Sequence, residues 1–128
     1  MYKRLELHNH TNESDAVFTC KELTDFMVAD RVDAFALTDH NTISGHCKIK
    51  NYLKEHPQPI AFIPGMEYTT YYGHILCLNL TEYVPWENIN RHKPELLFRA
   101  AREKRSTGRR GTSIFLRMAV RTGLPFRR

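Results

Sequence analysis

No acidic residue follows Glu103, and that absence divides the chain. Residues 1–104 hold all 14 Asp and Glu and 12 of the 19 Lys and Arg, a balance of −2. Residues 105–128 carry seven Arg, no Lys and no acid, a balance of +7. The formal charge of +5 therefore belongs to the last segment alone. A basic footprint spread over a whole DNA-binding domain is excluded. Cysteine is scarce as well. Cys20, Cys47 and Cys77 are far apart and form no CxxC, which argues against a disulfide framework or a thiolate metal site and for reduced thiols. No apolar run approaches a membrane span, and the N-terminus has no signal-peptide core, so the expected compartment is the cytoplasm and no membrane partner is expected. At 128 residues there is room for one modest domain.

The elements alternate. Tyr2–Leu7 reads as a first strand and Asn9–Phe18 as a functional loop. Thr19-Cys-Lys-Glu22 has the form of a capping box, and Leu23, Phe26 and Met27 follow at helical spacing, which predicts a helix over 20–31. Ala34–Thr38 is a short apolar run of the kind buried on both faces of a sheet. A second helix is expected from Ile43 or Ser44 to Glu55, stopped by His56-Pro57-Gln58-Pro59. Ile60–Ile63 reads as a third strand closed by Pro64-Gly65, His74–Leu80 as a fourth, and Pro94–Lys104 as an amphipathic helix. This order predicts an α/β fold with a mainly parallel sheet, whose functional residues gather at the carboxyl ends of strands.

A His or a carboxylate punctuates each of those ends. His8 and His10 are two apart, so on extended backbone they point to one side and form a pincer for a transition metal. Asp15 follows after a polar turn, Asp39 and His40 close the second strand, Glu67 lies beyond the third, and His74 opens the fourth. Imidazole with carboxylate suits Zn, Mn or Fe. A set this rich can hold more than one ion, with Glu67 bridging two, an arrangement suited to phosphate-ester hydrolysis. Asp39 and His40 are adjacent, so their side chains diverge. His40 is read as a ligand, and Asp39 as a catalytic-side residue that supports a ligand or faces substrate. His46, His56 and His92 have no such partners and are read as solvated. Packing is the favoured reading of Tyr68, Tyr71 and Tyr72.

Together these residues resemble the PHP family, the polymerase-and-histidinol-phosphatase metal hydrolases. The matching motifs are His8-Asn9-His10-Thr11 with Ser14-Asp15, then Thr38-Asp39-His40-Asn41 with Ser44-Gly45, then Gly65-Met66-Glu67 with Gly73-His74. They cover roughly residues 1–104. The resemblance implies the N-terminal portion of a distorted seven-stranded (β/α) barrel with up to three divalent metals at its C-terminal rim. It implies His8, His10 and Glu67 at one metal, Glu67 and His74 at a second, and Asp15 and His40 at a third. The implied reaction is metal-dependent hydrolysis of a phosphomonoester or phosphodiester, with a phosphorylated small molecule or a nucleotide as substrate.

The family pattern also needs a later His-Pro motif and a final Asp-x-His. Here no His follows His92 and no Asp follows Asp39, so the chain reads as a truncated barrel whose three metals each lack a protein ligand. Inactive metal binding is accordingly the alternative to hydrolysis. Residues 105–128 read as a separate basic tail with three open readings: a disordered extension, a nucleic-acid-binding arm, or the product of a frameshift near Lys104. One permitted choice of codons for Arg105–Phe115, read one nucleotide later, spells Gly-Ala-Leu-Val-Gly-Val-Ala-His-Pro-Phe, a strand ending in the His-Pro that the family pattern requires.

Overall fold

The structure, a computed structural model, describes residues 3–71, 73–80, 82, 83, 95 and 99, and the backbone of 114–118. One five-stranded sheet in the order β1-β2-β3-β4-β5 carries the fold. Its strands are β1 (Leu5–Glu6), β2 (Ala34–Leu37), β3 (Ala61–Thr70), β4 (Gly73–Leu78) and β5 (Ile114–Met118). Helix α1 (Cys20–Ala29) connects β1 to β2, and α2 (Gly45–Glu55) connects β2 to β3. Both of these strand pairs are parallel, as helical crossovers require. The last two pairings are antiparallel.

Thr19 and Glu22 close the expected capping box around the start of α1: Thr19 Oγ1 accepts from the Glu22 amide at 3.2 Å and Glu22 Oε2 from the Thr19 amide at 2.9 Å. Cys20, Leu23, Thr24 and Met27 line the buried face. Phe26, expected on that apolar stripe, lies off it and is 63% exposed. Beyond the C-cap Asp30 the chain turns at Arg31, which takes a left-handed φ of 57°. Ile49 of α2 packs with Leu23, Met27, Phe35 and Leu37 into one core cluster between the helices and the sheet. Burial of β2 is complete along its length, as its apolar run predicts.

β3 is longer than its sequence suggests. Its first part pairs with β2 through Leu37–Pro64, and its second part pairs with β4 from Gly65–Leu78 to Thr70–Gly73. Pro64-Gly65 is thus the point where the strand changes partner, not its end. A proline is tolerated there because its missing N–H falls at the change-over. Glycine is needed because a Cβ at 65 would stand 2.8 Å from the Cys77 carbonyl oxygen. Met66, Tyr68, Ile75, Cys77 and Leu80 form a second core cluster around this hairpin. The fourth strand is therefore antiparallel, and its tight turn returns the chain to the rim it has just left.

The basic tail is not wholly separate from the fold, because 114–118 supplies β5, paired with β4 from Leu78–Ile114 to His74–Met118. Glu95 and Arg99 are helical; the rest of the helix expected over 94–104, together with Tyr2, Tyr72 and His92, lies outside the described residues. Among the described residues no helix is long and apolar enough to cross a membrane.

Candidate metal centre

Register brings the candidate residues to one level. Leu5 pairs with Ala34, and the same offset places Asn9 beside Thr38. Asn9 does continue that ladder: its carbonyl accepts from the Thr38 amide at 2.9 Å, and its amide donates to Thr38 Oγ1 at 3.1 Å. The Asn9 side chain turns inward and donates to the carbonyls of Glu6 and Ala36. His8 and His10, flanking it, are left facing the other way. Between β2 and β3 the pairing resumes at an isolated bridge, His40 with Glu67, in unchanged register. Asn41 holds this bridge. At φ 54° it donates its amide to the Glu67 carbonyl, and its Oδ1 accepts from the Thr69 amide at 2.9 Å. Glu67 pairs with Leu76 and Thr69 with His74, so Glu67 and His74 are diagonal neighbours on one face.

Glu67 is the centre of the cluster. Its side chain is 5% exposed and its two oxygens serve different histidines. Oε2 lies 2.8 Å from His8 Nε2 and 2.9 Å from His10 Nε2, and those two nitrogens are 2.9 Å apart. Oε1 lies 2.8 Å from His74 Nδ1. His40 Nε2 is 3.3 Å from Asp15 Oδ2 and 3.8 Å from Glu67 Oε2. The rings of His10 and His40 stack at 4.5 Å, and His8 and His74 meet them edge-on. All six expected ligands meet in three overlapping groups, His8-His10-Glu67, His10-Asp15-His40 and His40-Glu67-His74. In each group one donor atom per residue lies within 4.8 Å of the others.

Two observations test whether such a donor set fits metal ions. Nδ1 of His10 and Nδ1 of His74 are buried and make no hydrogen bond among the described residues. For His74 this holds although Glu67 Oε1 is only 2.8 Å away, because the two are not aligned as donor and acceptor. Moreover, two ring nitrogens and a carboxylate oxygen at mutual separations of 2.8–2.9 Å form a triangle that protons satisfy badly. Donors at right angles around an ion about 2.1 Å away would stand about 3.0 Å apart. Burial holds the His10 imidazole below the usual histidine range, against the pull of Glu67, and neighbouring His40 and His8 lower it further. The neutral form is the one that ligates a metal. The residues fit the group.

Asp39 stands apart from the six. Expected on the catalytic side, it is 1% exposed and both its oxygens are taken by the preceding loop. The Thr11 amide and Ser14 Oγ donate to Oδ1, and Thr11 Oγ1 donates to Oδ2, each at 2.7 Å. It faces the loop, not solvent. Thr11, fully buried and central to this arrangement, was visible in the sequence as the last residue of the His8-Asn9-His10-Thr11 motif, but nothing there marked its bonds to Asp39.

His46 corrects another expectation. It is buried, not solvated, and its Nε2 lies 2.7 Å from the Gly65 carbonyl oxygen, which makes it the donor. Burial lowers its pKa, and the Gly65 bond only partly offsets that. No sequence signal marks a backbone carbonyl as a partner. His56 is exposed as expected. Tyr68 packs in the core, and Tyr71 lies exposed at the β3–β4 turn. The cysteines are free, with Cys20 and Cys77 buried; burial pushes the Cys77 thiol up to about 12.

Known proteins resemble this chain in sequence and in fold. The family model of the PHP domain matches residues 6–104. A 5′-3′ exoribonuclease of Escherichia coli, Rnm, is 32% identical over 79 residues, covering 59% of this chain and 27% of the relative. A solved amidohydrolase from Chromobacterium violaceum, with bound sulfate and no metal, superposes with a TM-score of 0.56 at 27% identity, covering 64% of this chain and 29% of the other. A two-domain protein of Bacteroides vulgatus containing a predicted PHP-like metal-dependent phosphoesterase superposes with a TM-score of 0.66 at 21% identity, covering 79% of this chain and 32% of the other. The chain thus spans under a third of the length of each of these three proteins.

Proposed function

The chain belongs to the PHP domain family and folds as part of the family's (β/α) barrel, and from that premise we propose that it is a metal-dependent hydrolase of phosphate esters with a multinuclear centre. The observation that carries the proposal is Glu67, a buried carboxylate whose two oxygens face different histidines. His8, His10 and Glu67 would hold one ion, Glu67 and His74 a second, and Asp15 and His40 a third. Zn, Mn and Fe all suit these donors. Bound there, the ions would polarise a phosphoryl oxygen and supply a nucleophile near neutral pH. The chain's own residues provide the rest. Their shared rim is open on the side of Asp15, whose side chain is 65% exposed, so a phosphate ester can approach from there. The Asn9 and Asn41 hydrogen bonds hold His8, His10 and His40 in place before any substrate arrives, so little reorganisation is needed. The likeness to exoribonucleases favours a nucleotide or an RNA end as the ester. The expected place of action is the cytoplasm, and the same proposal reads 1–104 as the domain and 105–128 as a basic tail whose residues 114–118 join the domain's sheet as β5.

A second reading follows from the donor count. With two or three described donors per ion, the chain could bind metal without turnover. One experiment separates the two. Metal content of the purified chain is measured, then hydrolysis of an aryl phosphate and of a 5′-phosphorylated oligoribonucleotide under added Mn or Zn, beside a His40→Ala control. Bound metal with turnover lost in the control supports hydrolysis. Bound metal without turnover supports the second reading, and absence of metal overturns both.

A further inference from the structure

Asp39 is a buried carboxyl group gripped by its neighbours. It is 1% exposed, and its two oxygens meet three donors, the Thr11 amide, Thr11 Oγ1 and Ser14 Oγ, each at 2.7 Å. Burying such a group is costly unless it is hydrogen-bonded, so these bonds tie Asp39 to the loop. Its backbone is engaged as well, since the Asp39 carbonyl accepts from the Glu67 amide at 3.1 Å. One residue therefore touches the loop that carries His10 and Asp15, touches the strand that carries Glu67, and precedes His40 in the chain.

The six proposed ligands are not held equally. His40, Glu67 and His74 stand on strands or on the bridge that continues them, and His8 and His10 flank Asn9, whose bonds to Thr38 extend the β1–β2 ladder. Asp15 does not. It sits in a turn folded on Thr11, whose carbonyl accepts from the amides of Ser14 and Ala16 at 3.1 Å each. From that turn its carboxylate reaches 3.3 Å from His40 Nε2 and 3.8 Å from His10 Nδ1. Asp39 grips Thr11, on which the turn is folded, and Ser14, the residue just before Asp15. Glu13 adds an outer tether through Ser44 and Lys48, but it touches α2, not the ligand-bearing strands.

We propose that Asp39 is a positioning residue that fixes Asp15 against His40 and thereby sets the Asp15-His40 metal position, while touching neither ion nor substrate. The inference rests on the metal-centre reading above and adds a selectivity to it. Loss of Asp39 frees one position and spares the two that share Glu67. An amide at 39 keeps the grip: its oxygen accepts from the Thr11 amide and Ser14, and its NH2 donates to a Thr11 hydroxyl that rotates to accept. Leucine, branched at the same atom but bulkier, keeps none of the three bonds.

The test is Mn2+ bound per chain at equilibrium, counted by mass spectrometry of the metal, for the full chain and its Asp39→Leu, Asp39→Asn and Asp15→Asn variants. Asp39→Leu should bind one ion fewer, or bind that ion about 10–100-fold more weakly, with the others unchanged. Asp39→Asn should restore it. Asp15→Asn should lose the same ion, and the Asp39→Leu/Asp15→Asn double variant should lose no more than Asp15→Asn alone, because the two act through one contact. A residue that merely supports the fold would weaken every position and would add to Asp15→Asn. The proposal is overturned if Asp39→Leu binds the wild-type number of ions with wild-type affinity, or if the double variant loses a further ion. Should Asp39→Leu fail to fold, Ser14→Ala carries the same expectation. A wild-type chain that binds no Mn2+ refutes the metal-centre reading instead, and this inference with it.

Discussion

Replacing Glu67 by Gln separates a metal centre from a cluster of ordinary hydrogen bonds. The change keeps the shape of the side chain and removes its charge from a place that is 5% exposed and within 2.9 Å of His8, His10 and His74. In the metal-free chain it should cost little, within about 1 kcal/mol, because the amide keeps an acceptor and gains a donor toward imidazoles that can each donate or accept. With metal the outcome differs. An ion present at 100 times its dissociation constant stabilises the folded state by about 2.7 kcal/mol, so the two positions that share Glu67 contribute about 5 kcal/mol. At about 3–5 °C per kcal/mol for a chain of this size, wild-type Tm should rise by roughly 15–25 °C on loading. An amide nitrogen has no lone pair to give and the remaining carbonyl oxygen carries no charge, so in Glu67→Gln one position fails, the other weakens, and most of that rise disappears. The assay is a thermal melt of chelator-stripped protein titrated with Mn or Zn. Two results would refute the reasoning: a variant that gains as much as wild type, or one whose metal-free Tm has already fallen by more than about 10 °C. The second would make Glu67 a structural partner of the histidines.

Asn41→Ala should lower stability by about 2–3 kcal/mol in urea unfolding, from left-handed strain at φ 54° and the lost bond to the Thr69 amide. Asn41→Gly should cost about 1 kcal/mol, from the lost bond alone, and equal losses in the two variants would sink the strain argument. For His46 the pKa is lowered in the fold by burial, so its contribution to stability is fully present above the unfolded value of 6.5 and is lost as pH falls below it. Urea midpoints of the metal-free chain at pH 7.5 and 5.5 should therefore differ more for wild type than for His46→Gln; identical differences would exclude His46 as the cause. For the tail, sequencing the gene decides the frameshift reading. Codons for Arg105–Phe115 that do not spell His-Pro one nucleotide later would retire it.

Much of this was legible because the fold writes its ligands at strand ends. The capping box at Thr19, the apolar run 34–37 and the proline stop after His56 each act through local chemistry that a sequence displays. The same holds for the order in which His8, His10, His40, Glu67 and His74 come up. What the sequence concealed depends on partners distant in the chain. Pro64-Gly65 looks like the end of a strand, because its real role is set by the Cys77 carbonyl oxygen lying where a Cβ would go. His46 looks solvated, because its partner is the backbone of Gly65. Phe26 looks buried beside Met27, yet the inner face of α1 follows the line of Cys20, Leu23, Thr24 and Met27. The tail shows no period, and still 114–118 finds the free edge of β4.

The site is consequently made of two kinds of part. Five of the six proposed ligands inherit their positions from ladder register, and a slip of one residue would turn each of those side chains to the opposite face. That explains why Asn9, Thr38 and Asn41 spend their polar groups on extending the ladders beyond the regular strands. Without those bonds the register would be undefined where the histidines leave it. The sixth, Asp15, belongs to a turn, and a turn can move without disturbing the sheet. A centre built this way can keep the Glu67 pair of positions intact while the Asp15 position opens and closes, so substrate entry and ion exchange should both occur on the Asp15 side. The distances already lean that way: Glu67 stands 2.8–2.9 Å from His8, His10 and His74, whereas Asp15 stands 3.3 Å from His40 and 3.8 Å from His10.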